Sequence, residues 1–196
     1  MAQILALRAE SRAAPPDEAD VMAAAAGDQD AFTRLYSCHV PAVYRYVRTR
    51  VATPEDAADL TQQVFLSAYR KLPEYRPGPS GFAAWLFRIA RNASIDASRR
   101  NRQAIPWDAV PESLVPHAAD AGPEGSAVSA EAAARVRSVI ARLDRQKQEL
   151  LALRFAAGLS SRQIAAVTGK TESAVKKQIW RLVLKLREEL EDERLA

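Results

Sequence analysis

Hydrophobic residues recur along this chain at steps of three and four, the spacing of one face of a helix, with two interruptions. From Glu18 to Arg102 the pattern is helical throughout. Phe32, Leu35, Tyr36, Val40, Val43, Tyr44 and Val47 make one apolar stripe, and Pro41 inside it predicts a kink or a break. Thr53-Pro54-Glu55-Asp56 is a helix start: a threonine to cap, a proline where no N–H is needed, and two acids at the positive end. The helix it opens carries Ala57, Leu60, Val64, Phe65, Ala68 and Tyr69 on one face and ends at Leu72-Pro73. Arg76-Pro77-Gly78-Pro79-Ser80-Gly81 cannot be helix. Another helix is predicted from near Phe82 to about Asn101, with Trp85, Leu86, Ile89, Ala90, Ala93 and Ile95 toward a core.

The interruptions divide the chain. Pro15 and Pro16 with no apolar periodicity predict a loose tail over 1–18. Pro106, Pro111, Pro116 and Pro123 predict a flexible linker over 103–128. After Ser129 the helical period returns through Val136, Val139, Ile140 and Leu143, then Leu150, Leu151, Leu153 and Phe155, with Gly158 as the terminating residue. Ser160 and Gln163 form a capping box, and Leu159 and Ile164 stand where its hydrophobic staple belongs. That short helix stops at Gly169, and a second runs from near Thr171 to Leu190. The expectation is an all-α fold without a sheet, made of two small helical domains at 19–102 and 129–196. The first is a bundle of three or four helices, and the second ends in a helix-turn-helix. Whether the two pack together or move freely stays open.

Ala, Leu, Arg and Glu dominate and aromatics are 7% of the 196 residues, which agrees with helix. The net charge of +4 suits an anionic partner, and the distribution is more informative than the sum. Arg70, Lys71, Arg76, Arg88, Arg91, Arg99, Arg100 and Arg102 are opposed over that stretch only by Glu74 and Asp96. Cys38 is the single cysteine, so no internal disulfide can form. The first ten residues lack the basic leader and apolar length of a signal peptide, and no run approaches a membrane span, so the chain reads as soluble and cytoplasmic, without membrane insertion. The two histidines, His39 and His117, and the adjacent pair Cys38-His39 suit neither a nucleophile–base pair nor a metal site, and no glycine-rich phosphate loop is present. No catalysis, cofactor or metal is expected.

In the helix-turn-helix, Ile164, Ala165 and Val167 supply the first helix's buried face and Ala174, Val175 and Ile179 hold the second. Glu172, Ser173, Lys176, Lys177, Gln178 and Arg181 then face outward, with side chains that reach base edges or phosphates. An amphipathic hairpin with a solvated basic face is the plainer reading. In the first domain Tyr75, Phe82 and Trp85 flank the Pro/Gly loop, followed by Arg88, Arg91, Asn92, Arg99 and Arg100. Aromatics beside a basic groove suit single-stranded nucleic acid. At helical spacing, though, Phe65, Phe82 and Trp85 read as core before they read as a stacking surface, and for Tyr75 the two readings balance.

Four segments in order carry a family resemblance. Ala26-Gly27-Asp28-Gln29-Asp30-Ala31-Phe32-Thr33-Arg34-Leu35-Tyr36 resembles the opening of sigma factor region two. Asp56-Ala57-Ala58-Asp59-Leu60-Thr61-Gln62-Gln63-Val64-Phe65-Leu66 resembles that family's core-binding motif. Ala84-Trp85-Leu86-Phe87-Arg88-Ile89-Ala90-Arg91-Asn92-Ala93-Ser94-Ile95-Asp96 is similar to its promoter-melting segment. Leu159-Ser160-Ser161-Arg162-Gln163-Ile164-Ala165 with Ser173-Ala174-Val175-Lys176 resembles region four. Together they cover about 19–190 and resemble the two-domain extracytoplasmic-function (ECF) sigma factors of the sigma-70 family. The resemblance implies a promoter-reading subunit of RNA polymerase whose partners are the core enzyme, promoter DNA and an anti-sigma factor. It implies that Asp59, Gln62, Gln63 and Phe65 dock on the polymerase. It places a base flipped from the −10 element in the loop from Tyr75 through Arg76 and Ser80 to Phe82, bordered by Asn92 and Asp96, and it adds Trp85, Arg88, Arg99 and Arg100 to the residues that bind the −10 DNA. It gives the −35 duplex to Thr171, Glu172, Ser173, Lys176, Lys177, Gln178 and Arg181. Three departures stand out: Gln63 where the family has an acid, Leu143-Asp144 in place of Leu-Pro, and Gln178-Ile179-Trp180-Arg181-Leu182 in place of S-R-x-x-R-A. An ordinary helix-turn-helix regulator explains the second half equally well but leaves Asp59 to Phe65 and the basic loop without a role. A helical adaptor that binds only protein is the remaining alternative.

Overall fold

The computed structural model describes residues 18–100 and 125–195, with side chains described over 18–98 and 133–191. The expected tail falls almost wholly outside the described residues, as does the expected linker up to residue 124. Four helices make the first half: α1 Glu18–Ala25, α2 Gln29–Arg48, α3 Pro54–Lys71 and α4 Gly81–Arg100. A 3-10 turn, Leu72–Glu74, closes α3. The second half holds α5 Gly125–Ala141, α6 Arg145–Leu151, a π-helical turn Ala152–Ala156, α7 Ser161–Thr168 and α8 Glu172–Leu195. The described residues contain no strand, so the fold is all-α.

Local chemistry accounts for most of the boundaries. The Asp28 carboxylate accepts from Ala31 N at 3.0 Å and starts α2, and Thr53 Oγ1 accepts from Asp56 N at 3.0 Å to start α3, with Pro54 behind it. The capping box of α7 is present in both directions: Ser160 N donates to Gln163 Oε1 at 2.9 Å, and Gln163 N to Ser160 Oγ at 3.3 Å. Gly169 ends α7 at φ +72°, in the left-handed region that penalises any side chain with a Cβ.

Three expectations change. Pro41 does not break its helix: α2 runs through it from Gln29 to Arg48. One lost hydrogen bond is outweighed there by the buried neighbours Val40 and Val43, which anchor both sides of the proline. The periodic stretch from Val136 to Phe155 is not one helix, because Asp144 caps a new one by accepting from Lys147 N at 2.9 Å. Gln148 Nε2 then seals the end of α5, donating to Ile140 O and Leu143 O, each at 3.1 Å. Finally, α5 begins at Gly125, inside the segment expected to be linker.

In the first half α1 packs on α2, α2 on α3 and α3 on α4, around Leu35, Val43, Tyr46, Val47, Val64, Leu86 and Phe87. In the second half α8 crosses α5, α6 and α7 over Ile140, Leu151, Leu153, Ile164 and Val175. The two halves are in contact, a point the sequence left open. Helix α4 lies against α7, and α2 against the π-helical turn, where Arg45 Nε donates to Ala156 O at 3.0 Å.

Candidate nucleic-acid interface

Helix α3 turns two faces in opposite directions. Ala57, Leu60, Val64, Phe65 and Ala68 are buried, while Asp59, Gln62 and Gln63 are exposed on neighbouring turns. Phe65 therefore does not share their surface: it is 4% exposed, and its ring meets Tyr36 edge-on at 4.6 Å. Leu66 takes its place on the open face at 56% exposed, one turn from Gln62 and Gln63, with Tyr69 beyond it at 47%. The sequence gives Leu66 no place on this surface and puts Tyr69 on the buried face, where the structure has it half exposed. The signal for Leu66 is its helical spacing from Gln62 and Gln63.

The loop before α4 is organised by aromatics packed on one another. Tyr75 is 3% and Phe82 7% exposed. Tyr75 lies 5.9 Å from Phe82 and 5.3 Å from Trp85, and Phe82 lies 5.4 Å from Trp85, by ring centroids. The Tyr75 hydroxyl donates to Glu18 at 3.3 Å, tying the loop to α1. Burial, and then the Glu18 charge and hydrogen bond, push the Tyr75 phenol up to about 12. As the structure stands, Tyr75 and Phe82 offer no open stacking face, so the core reading holds for both, and only Trp85 is partly open. Arg76, Arg88, Asn92 and Asp96 are exposed and Ser80 is half-buried. Arg76 Nη1 folds back onto Tyr75 O at 3.0 Å. The side chains of Arg99 and Arg100 lie outside the described residues. His39 stacks at a tilt 5.4 Å from Phe82, and burial lowers its pKa, in keeping with a structural imidazole.

On α8 the outward face is Ser173, Lys176, Lys177, Trp180 and Arg181, all exposed. Thr171 Oγ1 accepts from Ala174 N at 3.3 Å in the first turn. Glu172 is paired with Lys176 at 2.7 Å, and that pairing holds its carboxyl below the usual range. Gln178 is half-buried and turned toward the inter-helix turn, where its Oε1 accepts from Lys170 Nζ at 3.2 Å. It is therefore turned away from the open outward position that the sequence predicts for it. Trp180, 64% exposed, occupies that surface between Lys177 and Arg181.

Among the described residues no helix is long and apolar enough to cross a membrane, and no group of three or more His, Cys, Asp or Glu could hold a metal ion.

Residues 35–104 match the family model for Sigma-70 region 2, and residues 133–186 match that for Sigma-70, region 4. The chain is 36% identical to the ECF RNA polymerase sigma factor SigD of Mycobacterium tuberculosis over 180 residues, covering 88% of this chain and 83% of that one. The chain belongs to the ECF sigma factors of the sigma-70 family. It is also 36% identical to the ECF RNA polymerase sigma factor BldN of Streptomyces coelicolor over 170 residues, 87% of this sigma factor but only 64% of that protein's length. In three dimensions it superposes on CnrH in complex with the cytosolic domain of CnrY with a TM-score of 0.65 and 27% identity, over 90% of this chain and 98% of that one. Membership makes the chain a factor for promoter-specific transcription initiation, and its relatives are regulatory proteins rather than classical enzymes. Two of its departures now have positions. Asp144 is the cap of α6, and Gln63 lies exposed beside Gln62.

Proposed function

We propose that this sigma factor docks on core RNA polymerase through the exposed face of α3, reads the −35 element as duplex with α8, and melts and reads the −10 element with α4 and the loop before it. In this reading the first domain spans 19–102 and the second 129–196. Docking uses Asp59, Gln62 and Gln63 with Leu66 among them, while Phe65 supports the helix from beneath. Lys177 and Arg181 address the upstream duplex. Arg88 and Asn92, beside the half-open Trp85, handle the displaced strand, and the buried Tyr75 and Phe82 hold the loop's shape. The chain works in the cytoplasm, without a cofactor and without catalysing a reaction of its own. An anti-sigma partner fits the same picture, since the similar CnrH is solved in complex with the cytosolic domain of CnrY.

The observation that supports this best is the pair of exposed polar faces on α3 and α4, joined by a loop that a buried aromatic cluster holds in place. The test is run-off transcription with purified core enzyme on a genomic promoter library, where initiation from specific start sites is expected. Asn92→Ala then probes melting. It should leave the protein folded and polymerase-bound, yet lower transcription from duplex promoters more than from templates pre-melted across the −10 element. Equal loss on both templates would make Asn92 architectural.

A further inference from the structure

At the boundary between the two halves, Glu149 of α6 reaches into the first half. Its Oε1 accepts from the buried Tyr46 hydroxyl at 2.8 Å, its Oε2 lies 2.9 Å from Arg50 Nη2, and Arg91 Nε of α4 stands 3.7 Å from Oε1. The side chains of Arg50 and Glu149 are only 12% and 15% exposed, against 32% for Arg91. Burial first, and the Glu149 contact after it, raise the Tyr46 pKa, so its hydroxyl stays a donor. One carboxylate does not saturate this set. Arg50 Nε and Nη2 and Arg91 Nε make no hydrogen bond of good geometry within the protein. The adjoining cavity, about 370 Å³, is lined by Arg50, Arg91, Arg145 and Lys170, with Glu149 as its one acid.

We propose that Arg50 and Arg91 form an anion socket with two alternative occupants: Glu149 in the closed chain seen here, and a backbone phosphate of nucleic acid in the open one. This rests on the sigma reading above. The −35 and −10 elements are named for positions about 25 base pairs apart, which at 3.4 Å each is about 85 Å of duplex. Helices in van der Waals contact cannot cover that span. Reading both elements at once therefore requires α7 to leave α4. When it does, Glu149 departs and two guanidiniums are exposed: Arg91, beside Arg88 and Asn92 on the helix proposed to meet the separated strand, and Arg50, just past the end of α2. A guanidinium fork binds carboxylate and phosphate with the same donor geometry. Glu149 is thereby a tethered competitor of DNA, and the closed form is self-inhibited.

The test uses the full chain with dyes at Cys38 and at an introduced Lys185→Cys, and a short oligothymidylate as probe. Glu149→Gln should lengthen the inter-dye distance and tighten oligothymidylate binding several-fold. Tyr46→Phe keeps every charge and should shift both readouts in the same direction by less, which guards against a folding defect in the first variant. Adding Arg91→Gln to Glu149→Gln should abolish the gain in affinity and reduce the slope of log affinity against log salt by about 0.7. An unchanged distance in both single variants, no gain in affinity, or a gain that survives Arg91→Gln overturns the socket. Neither readout involves polymerase. A chain that transcribes normally but fails these tests loses this inference alone, and one that passes them but does not initiate loses the sigma reading instead.

Discussion

Tyr75 places a phenol where water scarcely reaches, with its hydroxyl on Glu18 and two rings in T-shaped contact with it. Its pKa rises from the ordinary 10.0 to about 12, so the folded chain holds this proton more tightly than the unfolded chain does. The resulting stabilisation is fully present below about pH 10 and is lost as pH rises through about 12. Chemical denaturation followed by circular dichroism should therefore show stability falling across that window. Tyr75→Phe should remove part of the fall, with the more deeply buried Tyr46 accounting for another part. Nothing in the sequence predicted this environment. The prolines and glycines announce that 76–81 is not helix, but Glu18 lies 57 positions away and belongs to a helix of its own. Burial of a loop aromatic depends on which distant element folds over it, and local pattern carries no record of that. The same holds for Gln178, whose orientation is set by Lys170 across a turn.

Helix α3 is the element whose sequence was easiest to read, because its cap, its proline and its apolar spacing all point the same way. The spacing separates a buried stripe from Asp59, Gln62 and Gln63, and an exposed polar face of this kind tolerates change. Asp59→Ala with Gln62→Ala should move folding stability by under about 0.5 kcal/mol per site while lowering affinity for core polymerase at least several-fold in a pull-down titration. An unchanged affinity in the folded double variant would move the docking surface elsewhere. Leu66→Ala should weaken the same complex, since an exposed leucine loses little stability on truncation but removes apolar contact from an interface. The hidden element boundary, by contrast, lies at Asp144. The apolar period runs on past it from Val136 to Phe155, so periodicity alone merges α5 and α6 into one helix, and only the aspartate with its partner Lys147 marks the break. Caps act over three residues and periodicity over fifteen, so a weak local signal was overridden by a strong extended one.

On the scale of the molecule, the all-α class and the division into two halves follow from periodicity and from the proline-rich stretch between them. The contact between the halves does not, since it depends on single residues separated by about a hundred positions, such as Tyr46 with Glu149 and Arg45 with Ala156. That contact should make unfolding cooperative across both halves. Calorimetry of the wild-type chain should give one transition, and Glu149→Gln should broaden or split it as the halves come uncoupled. The π-helical turn Ala152–Ala156 holds a consequence of another kind. Its backbone bond from Ala157 N to Ala152 O, 3.0 Å, spans one residue more than an α-helical bond, which is the geometry left when a single residue is inserted into a regular helix. Deleting Ala152 would return the segment to an even α-helical winding at modest local expense. Because the bulge absorbs the extra residue, the helices downstream would keep roughly their direction, while the Ala156 carbonyl would slip out of register with Arg45. A one-residue change in length is thereby taken up within the turn, and α8 keeps its outward face.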